Sequence, residues 1–154
     1  MSEYKKYYRI TGGDEVKKFD GQELRRSVAA DGSYRYTITQ TQYIERVYKK
    51  YVTTSSDRAR VSPIDVGADG AKKFMAITEA KTDAEKQDQE MASKDFLGLL
   101  GCVSYITLKT RPDCQFHVSR LGQCSINPSP AAYNALIVVL SYMYRAINLS
   151  VWVM

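Results

Sequence analysis

The feature that most constrains this chain is the break at Thr110-Arg111-Pro112-Asp113, which lies between two runs of helical apolar spacing. Before it, Phe96, Leu99, Leu100, Val103 and Ile106 recur at three- and four-residue steps, so they share one face of a helix. Gly98 and Gly101 lie inside that helix and weaken it by roughly 1 kcal/mol each relative to alanine; the expected return is close approach of a neighbouring helix. Pro112 lacks an N–H and suits the first turn of a new helix. That helix carries Cys114, His117, Val118, Leu121 and Cys124 as its apolar stripe and ends at Asn127-Pro128. Ser129 then caps a third helix, with Pro130 at its first position. Its face is Tyr133, Leu136, Ile137, Leu140, Met143 and Ile147, Asn148 stops it, and residues 150–153 read as the start of a strand.

The first third reads differently. Glu23 to Val28 leads into Asp31-Gly32, a common hairpin turn pair, and the chain returns over Ser33 to Thr39. Tyr34, Tyr36 and Ile38 alternate with Arg35, Thr37 and Thr39, which predicts one aromatic and one polar face. Thr39-Gln40-Thr41-Gln42 has the pattern of a capping box, with a hydroxyl at the cap and a glutamine three residues on. Tyr43, Ile44, Val47, Tyr48 and Tyr51 then follow at helical spacing. Residues 52–92 are polar and aperiodic and read as a mobile connector, with short helical pieces near Lys72–Ile77 and Asp83–Met91. The expected class is therefore α+β: an N-terminal β-hairpin, a long connector and a mainly helical region, with divisions at 1–51, 52–92 and 93–154.

Charge follows the same division. The net charge of +5 is carried by the two ends, while residues 61–100 hold more acidic than basic side chains. This layout is compatible with a polyanionic partner and equally with a solvated basic surface. The three cysteines, Cys102, Cys114 and Cys124, have no C-x-x-C spacing, which suits reduced thiols in an intracellular setting, cytoplasmic or nuclear. No apolar segment at the N-terminus reads as a secretion signal, and the longest apolar run, Ala135 to Leu140, is too short for a membrane span.

Taken together, Gly101, Tyr105, Thr110, Arg111, Pro112, Asp113, Val118, Ser119 and Arg120 match a block that resembles the reverse transcriptase of copia-type retrotransposon polyproteins. A second block of that family is similar to Phe19, Gly21, Glu23, Leu24, Asp31, Gly32, Ser33, Ile38, Thr39, Gln40, Tyr43, Ile44, Glu45 and Val47, and Val61-Ser62-Pro63 resembles a motif of its long loop. The resemblance spans roughly residues 14–50 and 96–153. It implies the end of the palm, the thumb and the connection toward ribonuclease H. Asp20 stands where the family has leucine, a departure expected to weaken packing. The chain ends in apolar residues, as if it continued in a longer protein.

Two-metal phosphoryl transfer needs clustered carboxylates to clamp Mg²⁺. By the resemblance these belong to a tyrosine-valine-aspartate-aspartate turn and to a ribonuclease H cluster, neither of which this sequence contains, so no cofactor is expected in this chain. Asp113 is the one carboxylate after residue 100; beside Arg111 it reads as a helix-start or ion-pair residue. Cys114 and His117 share a helix face, which admits a nucleophilic pair, yet no orienting acid accompanies them, and packing is the simpler reading. Gly12-Gly13-Asp14-Glu15 lacks the spacing of a phosphate cradle.

Binding remains. Arg25, Arg26 and Arg35 on the hairpin, with Arg46, Lys49 and Lys50 on the following helix, are interleaved with tyrosines, a mixture that suits phosphates and bases. The resemblance implies a grip on the primer terminus by Phe19, Gly21, Gln22 and Glu23, and backbone contacts by Lys49 and Lys50. The implied partners are an RNA or DNA template–primer duplex and the remainder of a Pol polyprotein. In the third helix the family's basic pattern is replaced by Val138-Val139-Leu140-Ser141-Tyr142-Met143. The competing expectation is an independent small interaction or nucleic-acid-binding module without enzymatic activity. In that reading the tyrosines are the hairpin's core and the cations its solvated face.

Overall fold

The computed structural model describes residues 18–28, 30–52, 62–64, 69–81, 83–149 and 151–153; within these, 83–94 and 151–153 are described by their backbone. Gly12–Glu15 and Val61 lie outside the described residues. The protein has an α+β fold. Strands β1 (Lys18–Phe19), β2 (Gln22–Val28), β3 (Tyr34–Thr39) and β4 (Val151–Val153) form an antiparallel sheet in the order β1-β2-β3-β4. The helices are α1 (Thr41–Tyr51), α2 (Gly70–Met75), α3 (Asp83–Lys109), α4 (Gln115–Gly122), preceded by a 3₁₀ turn at Pro112–Cys114, and α5 (Pro130–Arg145).

The helical stripes meet in one core. Ile44 and Val47 from α1, Phe96, Leu99, Val103 and Ile106 from α3, Cys114, Val118, Leu121 and Cys124 from the α4 region, and Leu136, Val139, Leu140 and Met143 from α5 are all buried. Tyr48 stacks on Tyr144 with ring centroids 3.9 Å apart, tying α1 to α5. Of the two glycines expected to admit a close neighbour, only Gly98 does so: a Cβ there would lie 2.8 Å from Tyr51 Oη, whereas one at Gly101 would meet open space.

Local chemistry sets the ends of these elements. Ser129 Oγ accepts from Ala132 N at 3.3 Å, the cap anticipated for α5, and donates to Thr78 O at 2.8 Å. At α1 the expected capping box does not form. Gln40 occupies the cap position without a side-chain cap bond, and Glu23 Oε1 of β2 accepts from Gln42 N at 3.0 Å instead. The sheet runs straight into α1, so the β2 carboxylate already lies against the helix start and takes the role of the local hydroxyl. Helix α4 ends at Gly122, before the Asn127-Pro128 stop read from the sequence; Cys124 N and Ser125 N bond back in a tightened turn.

The polar connector is anchored to the bundle at residues 69–81. Phe74 and Ala80 are buried there, Ala80 N donates to Asn127 O at 3.0 Å, and Arg120 Nη2 donates to Met75 O and Ile77 O at 3.2 and 3.1 Å. The two isolated apolar residues supply too short a stripe to show as periodicity, yet they are enough to seal the end of α2.

The break between α3 and α4 is held by Arg111, whose residue is 1% exposed. Its Nε and Nη2 donate to the two oxygens of Asp113 at 2.9 and 2.8 Å. Its Nη1 donates to Met143 O and Ala146 O at 3.1 and 3.2 Å, and the guanidinium lies 5.0 Å from the centre of the Tyr142 ring. A planar fork suits this task, because one side can grip a carboxylate while the other meets carbonyls at the end of α5. Replacing Arg111 with alanine would remove the donor to Met143 O, one of the two donors to Ala146 O, and both of the bonds that Arg111 gives Asp113. The expected loss is about 3 kcal/mol, read as a lowered urea midpoint, whereas Arg25→Ala on the exposed hairpin should change stability by about 0.5 kcal/mol or less.

Candidate nucleic-acid interface

The residues expected to grip a primer terminus surround a two-residue turn. Phe19 pairs with Gln22, and Asp20 and Gly21 between them have φ of +48° and +69°. Both values lie in the left-handed region, where an aspartate is tolerated and a glycine is free of strain. Asp20 therefore belongs to the turn. Its backbone oxygen accepts from Tyr105 Oη, and its carboxylate pairs with Lys109 Nζ at 3.2 Å. Tyr105 also meets Tyr43 edge to face at 5.2 Å, and a Cβ on Gly21 would stand 3.3 Å from its Oη. At the base of the sheet, Thr110 Oγ1 donates to Gln40 Oε1 at 2.8 Å in a buried bond.

Thus the turn region and the end of α3, more than 80 residues apart in the chain, lock together. Among the sequence-derived candidates, Phe19 is open to solvent at 69% exposure, Gly21 is exposed and Gln22 is half-buried. Glu23 is occupied by α1, its second oxygen lying 3.5 Å from Thr39 Oγ1. Arg46, 5.1 Å from the centre of the Tyr43 ring, joins this neighbourhood, as does Lys109, which was not singled out. A lone cation in a helix carries no sequence signal of its partner; the turn that presents Asp20 is needed to find it.

The arginines divide between the two sides of the sheet. Register pairs Arg25 with Thr37, Ser27 with Arg35 and Glu23 with Thr39, so Arg25 and Arg35 share the polar side. Arg26 pairs with Tyr36 on the other side and lies 5.0 Å from the centre of the Tyr34 ring. Lys49 and Lys50 are exposed in the last turn of α1, where cations also favour the negative end of the helix dipole. Lys50 Nζ donates to Tyr51 Oη at 3.1 Å. The tyrosines of the hairpin are not a core: Tyr34 is 54% and Tyr36 41% exposed. Among the described residues the buried stripes of the helices pack on one another rather than on that side.

The remaining chemical candidates take structural roles. Burial opposes charge on Asp113, but the Arg111 donors and positive charge overcome it and hold the carboxyl below the usual range. Both Asp113 oxygens are taken by Arg111, and among the described residues no group of three histidine, cysteine or acidic side chains could hold a metal ion. Burial, with Asp113 beside it, pushes the Cys114 thiol up to about 12, so it stays protonated near neutrality and is unsuited to nucleophilic attack. His117 makes edge contacts with Phe74 and Phe116, and its buried Nδ1 has no partner among the described residues. A cavity of about 400 Å³ opens between residues 62–64, α2 and α5, lined by Pro63, Ile64, Phe74, Ile77, Ala135 and Val138 among others; it holds none of the candidate binding residues.

No family model matches this chain, and neither a curated protein nor a solved structure matches it. Among the described residues no helix is long and apolar enough to cross a membrane.

Two predictions follow from these environments. Burial, partly countered by Asp113, draws the His117 pKa below its ordinary 6.5. The folded state therefore favours neutral imidazole, and this contribution is complete above about pH 6.5 and declines as pH falls below it. The depressed Asp113 adds a second loss as pH falls below about 3.8. Thermal melting across pH should show both limbs, and His117→Phe should remove the first while leaving the second. Separately, Glu23→Ala should cost about 1 kcal/mol through the lost cap on α1, measured by urea unfolding.

Proposed function

We propose that this chain is a non-catalytic part of a copia-type reverse transcriptase, an RNA-directed DNA polymerase, and helps to hold the template–primer duplex. The observation that supports the reading is the junction of the two motif blocks. The Phe19–Gln22 turn is secured on Tyr105 and Lys109, while Gln40 is bonded to Thr110. Residues that resemble a primer grip are thereby fixed to residues that resemble the start of a thumb. The turn offers exposed backbone and Phe19 to a primer end, and Arg35, Lys49 and Lys50 offer charge to phosphates.

In this reading Mg²⁺ and catalysis belong to carboxylates of other parts of a Pol polyprotein, and the setting is intracellular. The alternative, an independent small intracellular interaction or nucleic-acid-binding module, is favoured by one observation: the exposed tyrosine side of the sheet gives the chain a surface of its own.

Binding to a primer–template duplex should be sequence-independent and salt-sensitive. Joint replacement of Arg35, Lys49 and Lys50 by alanine should make the log–log salt slope shallower by up to about 0.9 per lost contact. Fluorescence anisotropy at several salt concentrations reads this directly. Absence of duplex binding at low salt, by protein with intact helical circular dichroism, would reject the proposal.

A further inference from the structure

The cavity between residues 62–64, α2 and α5 has the volume of a small-molecule site, about 400 Å³. Ile64, Phe74, Ile77 and Val138 give it apolar walls. Gly70, Ala131 and Ala135 stand among them, and their small side chains leave the space that larger ones would fill. The described lining holds two polar side chains, Lys73 and Asn134, and no carboxylate.

Water is a poor occupant of such a space. A held water needs two to four polar partners, and most of this wall offers none. An apolar body gains by displacing it, because weakly held water gives up few hydrogen bonds. Volume bounds the size of that body. A cavity of about 150 Å³ takes one benzene ring, so by the same ratio this one admits roughly 16 non-hydrogen atoms.

The polar side chains set the sign of the ligand. Lys73 and Asn134 are exposed at the cavity, and neither side chain has a hydrogen-bond or ion-pair partner. Asp69, one turn before Lys73, makes no ion pair with it. Lys73 therefore brings an unneutralised ammonium, and the Asn134 amide can donate beside it. Ala131 belongs to the first turn of α5, so the positive end of that helix's dipole attracts the same sign. A carboxylate matches this set, with one charge for the ammonium and two oxygens to accept from the two side chains. A phosphate monoester carries about −1.5 to −2 charges, more than one lysine neutralises.

We propose that the cavity between α2 and α5 binds a small apolar carboxylic acid as its anion, with the carboxylate at Lys73 and Asn134 and the apolar body against Phe74, Ile77 and Val138. The site shares no residue with the duplex reading, and either can fail alone.

The test is calorimetric titration of the full chain with decanoate and with naphthoate, an alkyl and an aromatic acid within the size limit, below any micelle-forming concentration. Decanol and decyltrimethylammonium carry the same tail with no charge and with the opposite charge. The acids should bind more tightly than decanol, and decyltrimethylammonium least. Lys73→Gln should weaken the acids about fivefold and leave decanol unchanged, while Lys73→Glu should reverse the preference toward decyltrimethylammonium. Ala131→Trp, which fills the space from an exposed position, should remove binding of the acids and decanol alike. Circular dichroism confirms that each variant is folded. The proposal is overturned if neither acid binds the folded wild type, if decanol binds as tightly as decanoate, or if the folded Lys73 or Ala131 variants bind as the wild type does. It is also overturned if the wild type is a dimer by sedimentation that Ala131→Trp dissociates without ligand, since the occupant is then a second copy of the chain.

Discussion

The helical bundle depends on one buried cation. Arg111 stands where α3 must stop and α4 must start, and its guanidinium has to be neutralised and hydrogen-bonded to remain there. Asp113 supplies the charge, the end of α5 supplies two carbonyl oxygens, and Tyr142 supplies a ring face. The reward is geometric. The 3₁₀ turn that leads into α4 begins after only two residues from the end of α3, and the same side chain ties this junction to the C-terminus of α5. Arg120 repeats the device on a smaller scale, meeting the carbonyls of Met75 and Ile77 at the end of α2. In both cases an arginine donates to backbone oxygens at or just beyond the end of a helix; Ala146 O also accepts from Leu149 N at 3.0 Å.

The position of the sheet follows from the end of α3. Thr110 is bonded to Gln40, and Tyr105 and Lys109 hold the turn at Asp20. These contacts anchor the base of the hairpin and leave its outer half free of the bundle. Exposure of Tyr34 and Tyr36 is therefore a consequence of where the anchors lie, not of a weak sheet.

Secondary structure was legible wherever periodicity and end chemistry agreed. The α5 stripe and its Ser129 cap, the hairpin with its Asp31-Gly32 turn, and the Arg111–Asp113 partnership could all be read from residues within a few positions of one another. The α1 capping box could not, because a carboxylate from another strand competes for the same N–H groups and wins by being already in place. The docking of residues 69–81 was hidden for a related reason. Phe74 and Ala80 are ordinary residues in a polar stretch until Asn127, Arg120 and Ser129 arrive from elsewhere to bond the backbone around them.

The sequence by itself determined the β2–β3 hairpin, α1, α5 and the apolar sides of the helices, since those follow from spacing and local capping; it did not show that α3 begins at Asp83, inside the stretch read as a connector, and runs unbroken past the expected division at 92/93, nor that Lys18–Phe19 forms β1. It also determined that cations and tyrosines are interleaved near the hairpin. Only the tertiary structure decided how those cations are used. β-Pairing sends Arg25 and Arg35 to one side and Arg26 to the other, the turn gives Asp20 to Lys109, and the helix start claims Glu23. Such assignments depend on distances between residues far apart in the chain, and no local pattern encodes them. The same holds for the open tyrosine side: alternation predicts that a face exists, but whether it is covered depends on where the remaining apolar stripes find their partners, and here they find one another.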